Sequence, residues 1–158
     1  DVGGGLGTVM AAVAQAFPNV KCVCFDMPSV IDGAGEPPIG VTFAKGDMFD
    51  GSTIPKTDAI FMKYILHDWS DKNAEKILKS CLQALPDKGR VYISDTVQPG
   101  PGQLTPLATR STTLDIVMMT LGGKERTRRQ WEALAEATGF EVVAEEHAGG
   151  GVDVIVMQ

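Results

Sequence analysis

The chain opens on a glycine-rich turn, Asp1-Val2-Gly3-Gly4-Gly5-Leu6-Gly7. Such a turn normally joins a buried strand to the helix that follows it. Its glycines supply positive φ and let a ligand come close to the backbone. A chain built around this turn is restricted to an α/β sheet, with the turn at the carboxyl end of a strand and a nucleotide or nucleoside cofactor as the expected ligand. No strand precedes the turn in these 158 residues, so the sequence reads as a fragment with its first strand truncated.

The remaining sequence alternates strand-like and helix-like segments. Thr8 to Phe17 carries Val9, Met10, Val13 and Phe17 at helical spacing. Val20 to Phe25 is an apolar strand ending at Asp26, and Pro28 opens a short helix through Ile31. Val41 to Lys45 is a strand ending at Gly46-Asp47, and Ala59 to Tyr64 one that leads to His67-Asp68-Trp69. Ser70 caps the clearest helix, where Ala74, Ile77, Leu78, Cys81, Leu82 and Leu85 form one apolar stripe ahead of Pro86-Asp87-Lys88-Gly89. Arg90 to Ser94 is a strand ending at Asp95, and Gln98 to Pro106 is a Pro/Gly-rich excursion. Leu107 to Leu121 reads as a helix. Thr127-Arg-Arg-Gln130 has the form of a capping box and starts another helix, to about Thr138. Glu141 to Glu146 and Val152 to Met157 close the chain as a hairpin around Gly149-Gly150-Gly151.

Helices that regularly follow strands imply parallel crossover units. The fold class is therefore α/β: one Rossmann-like sheet over residues 1–158, mostly parallel, with an antiparallel strand at its edge. In such sheets ligands bind beyond the carboxyl ends of the strands. Asp1, Asp26, Asp47, Lys63, His67 and Asp95 all stand at those ends or just past them.

Composition excludes several classes of function. A net charge of −6 argues against nucleic acid, whose phosphates need a basic face. No apolar run approaches the roughly 18 residues of a membrane span. Cys22 and Cys24 share one sheet face and Cys81 lies on a helix stripe, which reads as buried free thiols of a reducing, cytoplasmic setting. With two histidines and dispersed cysteines, no metal site is expected.

The dinucleotide fingerprint Gly-x-Gly-x-x-Gly is incomplete: Gly3 and Gly5 fill two positions and Thr8 stands at the third. No Walker motif is present. Asp26 follows Gly3 by 23 residues, where a carboxylate can accept both ribose hydroxyls. Asp47-Met48 offers a carboxylate and a soft thioether to an adenine ring. The pattern favours an adenosine without pyrophosphate. Each residue also has a plainer role open to it: Asp26 as a helix cap, Asp47 as a loop residue, Lys63 as a side chain reaching solvent.

These residues carry a resemblance. The segments Asp1-Val-Gly-Gly-Gly-Leu-Gly7, Phe25-Asp-Met-Pro28, Gly46-Asp-Met-Phe49, Phe61-Met-Lys-Tyr-Ile-Leu-His-Asp-Trp-Ser-Asp71 and Gly122-Gly-Lys-Glu-Arg-Thr127 run in the order found in plant-type S-adenosylmethionine-dependent O-methyltransferases, the caffeic acid, flavonoid and acetylserotonin group. The chain resembles their C-terminal catalytic domain over almost its whole length. The resemblance implies a class I methyltransferase sheet, S-adenosyl-L-methionine as cofactor, and contacts to it at Gly3, Asp26, Asp47, Met48 and Lys63. It puts the catalytic base at His67, supporting acids at Glu125 and Asp95, and a substrate-ring contact at Met118, which also reads as an ordinary core methionine. The family usually has Glu where Asp95 stands, and a longer segment before Gly122; the shorter one here suggests a more apolar pocket. The resemblance further implies a homodimer formed through an N-terminal helical domain not included in these residues, and a small hydroxylated, aromatic substrate. The absent first strand is central in such sheets, so this chain alone is expected to be poorly stable.

The implied chemistry is coherent. A phenol, with a pKa of roughly 10, is little ionised near neutrality, and a neutral imidazole can take its proton as the oxygen attacks a methyl carbon. An acidic partner holds the ring in one tautomer, with Glu125 the first choice and Asp95 the second. His67 also has a structural reading as a helix-start residue, and His147 reads as a surface side chain. Two other classes stay open: a nicotinamide-dependent oxidoreductase, and a non-catalytic methyltransferase-like remnant.

Overall fold

The apolar runs become strands and the periodic runs become helices in a computed structural model that describes residues 1–100, 106–149 and 151–158. In chain order the elements are α1 (Thr8–Ala16), β1 (Cys22–Asp26), α2 (Pro28–Gly33), β2 (Val41–Lys45), β3 (Ala59–Lys63), a 3-10 turn (Leu66–Asp68), α3 (Asp71–Ala84), β4 (Arg90–Asp95), β5 (Val97–Gln98), α4 (Pro106–Leu121), β6 (Arg126–Thr127), α5 (Arg128–Thr138), β7 (Val142–Gly149) and β8 (Val152–Met157). The middle of the expected Pro/Gly-rich excursion, 101–105, and Gly150 of the hairpin lie outside the described residues.

Parallel register determines where the site can form. β1 pairs with β2 (Asp26 beside Lys45), and β3 pairs with β4 (Lys63 beside Ser94). Val2 bridges to Phe25, the Val2 amide donates to the Phe61 carbonyl at 2.9 Å, and the Gly3 amide donates to the Phe25 carbonyl at 2.8 Å. Asp1 and Val2 thus join β1 to β3. The glycine turn, Asp26, Lys45, Lys63 and Asp95 consequently emerge along one edge. At the opposite, amino end of the strands, β1 and β3 stand apart around a cleft of about 850 Å³, lined by Cys22, Val23, Ala59, Ile60 and Phe61 among others.

The last two strands refine the expected topology. The four-stranded part runs β3-β4-β8-β7, and β8 is antiparallel to both of its neighbours. The antiparallel strand therefore sits one place in from the edge, and β7 forms the edge. The tight β7–β8 hairpin accounts for this, because β8 folds back from β7 and slots against β4. Two short parallel strands, β5 and β6, form a separate pair that the sequence did not announce, since two residues carry no readable period.

Each face of the sheet has its own core. Ile60, Met62, Val91, Ile93, Ile155 and Met157 pack with Ile77, Leu78 and Cys81 of α3 and with Trp131 and Leu134 of α5. Met10, Cys22, Cys24, Ile31 and Val41 form a smaller cluster under α1 and α2. The three cysteines are free and buried, and burial pushes the Cys81 thiol up to about 12. Two expected core residues are not there. Phe17 is 61% exposed because it leaves the helix at its C-cap, and Leu82 is 42% exposed where α3 meets the Gly139 end of α5. Ser70 occupies the N-cap position of α3, but its side chain makes no capping bond. The Thr127–Gln130 capping box forms as expected. No helix among the described residues is long and apolar enough to cross a membrane.

Candidate active site

His67 sits in the 3-10 turn between β3 and α3, just past the carboxyl end of β3. It is 6% exposed, an unusual burial for a titratable ring. Its Nδ1 lies 2.8 Å from Glu125 Oε1 and 3.9 Å from Asp95 Oδ1, while Nε2 lies 3.6 Å from Asp68 Oδ1. A carboxylate oxygen can only accept at Nδ1, so Nδ1 carries the proton and donates it to Glu125. The lone pair of the neutral ring is then on Nε2, the side of half-exposed Asp68.

The electrostatics follow from this placement. Burial pulls the His67 pKa down, but the hydrogen bond to Glu125 and the charges of Asp95, Glu125 and Asp68 outweigh it, so the net shift is upward from the usual imidazole value. Asp95 is fully buried, and burial pushes its carboxyl up to about 7, against the pull of His67 and Arg126. Neither Asp95 oxygen, nor Glu125 Oε2, has a hydrogen-bond partner among the described residues. At 3.9 Å Asp95 is beyond hydrogen-bond range of the ring and acts on it through charge alone. The three groups form one coupled proton-holding cluster in the lower-dielectric interior.

The glycine turn packs against the same segment. Gly3 has φ 74°, and a side chain there would run into Ile65, two residues before His67. Gly5 has φ 57°, and a side chain there would meet open space. Asp26 holds the turn from below: its Oδ2 accepts the Gly5 amide at 2.9 Å and its Oδ1 the Met27 amide at 2.7 Å. Each oxygen keeps a second lone pair for another donor. Asp47 accepts the Phe49 amide at 2.9 Å, so its loop role is real and leaves its other oxygen outside that bond. Met48 is half-buried beside it, and Lys63 is exposed, with Nζ 5.4 Å from the Tyr64 ring centroid. Met118 is 7% exposed on α4 and accepts the Gly123 amide through its carbonyl at 2.9 Å. His147 is half-exposed as expected, but its Nδ1 pairs with Asp153 Oδ1 at 2.6 Å across the hairpin.

Several residues of this region were not visible as site residues in the sequence. Tyr64 has φ 55°, the one non-glycine positive φ among the described residues, and its ring stacks on His67 at 5.3 Å. Backbone strain of this kind collects at functional sites. Asp115 on α4 accepts the Glu125 amide at 2.8 Å and so ties α4 to the ring's partner. Arg126 is fully buried beneath the turn. The resemblance of the segment Gly122-Gly-Lys-Glu-Arg-Thr127 pointed to Glu125 and to none of these three.

A mostly parallel α/β sheet with its polar cluster at the strands' carboxyl edge defines a Rossmann-like fold, and the comparisons with known proteins narrow it to the class I methyltransferases. Residues 1–141 match the O-methyltransferase domain family, and the chain belongs to it. It is 51% identical over 142 residues to O-methyltransferase 11 of Lophophora williamsii, covering 89% of this chain and 36% of that protein. It is 46% identical over 144 residues to caffeic acid 3-O-methyltransferase of Rosa chinensis, covering 89% of this chain and 38% of that one. The chain thus spans less than two-fifths of these relatives. Among solved structures, the mitomycin 7-O-methyltransferase MmcR superposes with a TM-score of 0.87 at 28% identity, over all of this chain and 47% of its own. The complex of LepI with SAM gives 0.86 at 29% identity, over 99% of this chain and 41% of its own.

Proposed function

We propose that this chain is the catalytic domain of a metal-independent enzyme that moves a methyl group from S-adenosylmethionine to a phenolic hydroxyl of a small aromatic molecule. The observation that carries the proposal is the buried His67–Glu125 pair, 2.8 Å apart, at the sheet edge where the glycine turn and Asp26 also emerge.

The residues at that edge suit the cofactor. Open space in front of Gly5 leaves room for a ligand against the backbone. Asp26 and Asp47 supply acceptors for ribose and adenine donors, Met48 an apolar, polarisable flank, and Gly3 the turn that shapes the cradle. Acidic side chains of this kind match a ligand bearing a positive sulfonium better than one bearing phosphates. When bound, S-adenosylmethionine supplies an electrophilic methyl group on a good leaving group, so no metal is called for.

The chain's own work is then deprotonation and positioning. Glu125 holds Nδ1–H and fixes the ring, leaving Nε2 to take the hydroxyl proton. Glu125 and Asp95 stabilise the imidazolium that results, through a hydrogen bond and through charge respectively. In this reading Lys63, exposed at the end of β3 beside the Tyr64 ring, serves the cofactor side, and Met118 serves as an apolar wall. Alignment of this kind contributes up to roughly 7–11 kcal/mol in well-oriented systems. Caffeic acid, after which the Rosa chinensis relative is named, is a phenol and fits the reading.

The test is transfer of labelled methyl from S-adenosylmethionine by the full-length protein to a panel of phenolic acceptors. Labelled product with at least one phenol, and calorimetric binding of the donor, is the expected outcome. No heat with the donor alongside tight uptake of NADH would replace the proposal with an oxidoreductase. Donor binding without transfer to any acceptor would leave a non-catalytic remnant.

A further inference from the structure

Arg126 is 0% exposed, and a buried guanidinium needs its donors matched. Among the described residues, its hydrogen-bond acceptors all lie in the segment that carries His67. Nη1 donates to the Leu66 carbonyl at 2.7 Å, Nη2 to the Trp69 carbonyl at 2.8 Å, and Nε to Asp71 Oδ1 at 3.0 Å. The two carbonyls bracket His67, one residue before it and two after. The guanidinium carbon lies 5.2 Å from the centroid of fully buried Trp131, so the cation has an aromatic floor in the core.

Neighbouring residues act on the same turn. The Lys124 amide donates to the His67 carbonyl at 2.8 Å, and Lys124 Nζ pairs with Asp71 at 2.6 Å. A side chain at Gly123 would run into the His67 carbonyl oxygen, so only glycine lets the two backbones meet there. Glu125 takes the ring nitrogen. Four successive residues, 123–126, thus hold the turn at its backbone, its ring and its exit into α3. β6, which begins at Arg126, is in turn held by β5 directly after Asp95 and Thr96. Trp69, whose carbonyl Arg126 holds, packs edge-on against Phe49 at 4.9 Å, next to Met48.

We infer that Arg126 is the positioning residue for the base: its planar fork fixes the backbone on both sides of His67, which sets the imidazole against Glu125. A lysine cannot serve two carbonyls and a carboxylate in one plane, so charge alone does not suffice. The inference rests on His67 being the base for its kinetic consequence, but not for its effect on the ring.

The experiment compares full-length wild type, Arg126→Lys and Asp71→Asn. One arm is NMR titration of the His67 imidazole, assigned by its absence in His67→Gln. The second arm is kcat and KM for methyl transfer across pH. Arg126→Lys is expected to lower the His67 pKa, to lower kcat by about 10- to 100-fold, as small misplacements do, and to change the donor KM by less than about threefold. Asp71→Asn, at a half-exposed side chain, is expected to move both readouts the same way by less, and it carries the test if the lysine variant does not fold. A merely structural arginine would lower the folded fraction and leave the titration and the pH limb of the folded molecules unmoved. That result, in Arg126→Lys or, failing it, in Asp71→Asn, overturns the inference. If no methyl transfer is found in wild type, the base reading fails, and the imidazole titration still decides whether Arg126 positions the ring.

Discussion

The two halves of the site are built differently. The base half is buried and cross-tied: His67 is held by Glu125, its backbone by Lys124 and Arg126, and Glu125 by Asp115. The cofactor half is open and locally tied: Asp26 binds the turn beside it, Asp47 its own loop, and Lys63 is exposed. The difference teaches where each kind of precision is needed. A base that must meet a proton along one line is set in the core before any ligand arrives. A cradle for a larger, many-contact cofactor can rely on strand ends that converge because the sheet is parallel. Substitutions in the base half should therefore reduce turnover, and those in the cofactor half should reduce donor affinity.

The sharpest break in that comparison is His67→Gln. We expect kcat for phenols to fall by on the order of 10²–10⁴, with donor affinity by calorimetry within about threefold of wild type. Glu125→Gln comes next. It removes the charge and weakens the hydrogen bond that raise the His67 pKa, since an amide oxygen still accepts Nδ1–H, so the acid limb of kcat/KM should move to lower pH while kcat falls about 10- to 100-fold. Equal limbs in wild type and variant would detach Glu125 from the ring. On the other half, Asp26→Ala should weaken donor binding by about tenfold, the worth of one hydrogen bond to a charged group, with kcat at saturation nearly unchanged. A loss of kcat with intact affinity would erase the distinction between the halves.

The smallest expected effect is on stability. Folded Asp95 keeps its proton up to about 7, whereas an unfolded aspartate loses it near 4. The unfolded state therefore binds fewer protons in between, and stability falls as pH rises from about 4 through about 7. His67, raised in the fold, adds a loss in the same direction that starts near its ordinary value of about 6.5 and ends above it. Asp95→Asn should flatten the melting temperature between pH 5 and 7, by a few degrees relative to wild type. Parallel curves would place the raised proton elsewhere.

How much of this was legible depends on the range of the signal. Helix α3, the β7–β8 hairpin and the capping box of α5 were readable because period and turn chemistry are local. The antiparallel strand was readable, but its place inside the edge was not, since strand order follows from packing. Exposure of Phe17 and Leu82 depended on where a stripe ends against its neighbours. The His67–Glu125 contact spans 58 positions, and no spacing rule links them; only the resemblance of the surrounding segments did. Arg126 and Tyr64 gave no signal of their own, because a buried fork and a positive φ are properties of the folded backbone.

The most direct measurement varies the acidity of the acceptor. For wild type and His67→Gln, kcat is measured at pH 7.5 with otherwise similar phenols whose pKa runs from roughly 10 down to roughly 6. If the imidazole takes the hydroxyl proton, the variant's deficit should be on the order of 10² or more at the weakly acidic end. It should shrink to severalfold where the phenol is already ionised. A deficit of the same size along the whole series would contradict that role for His67.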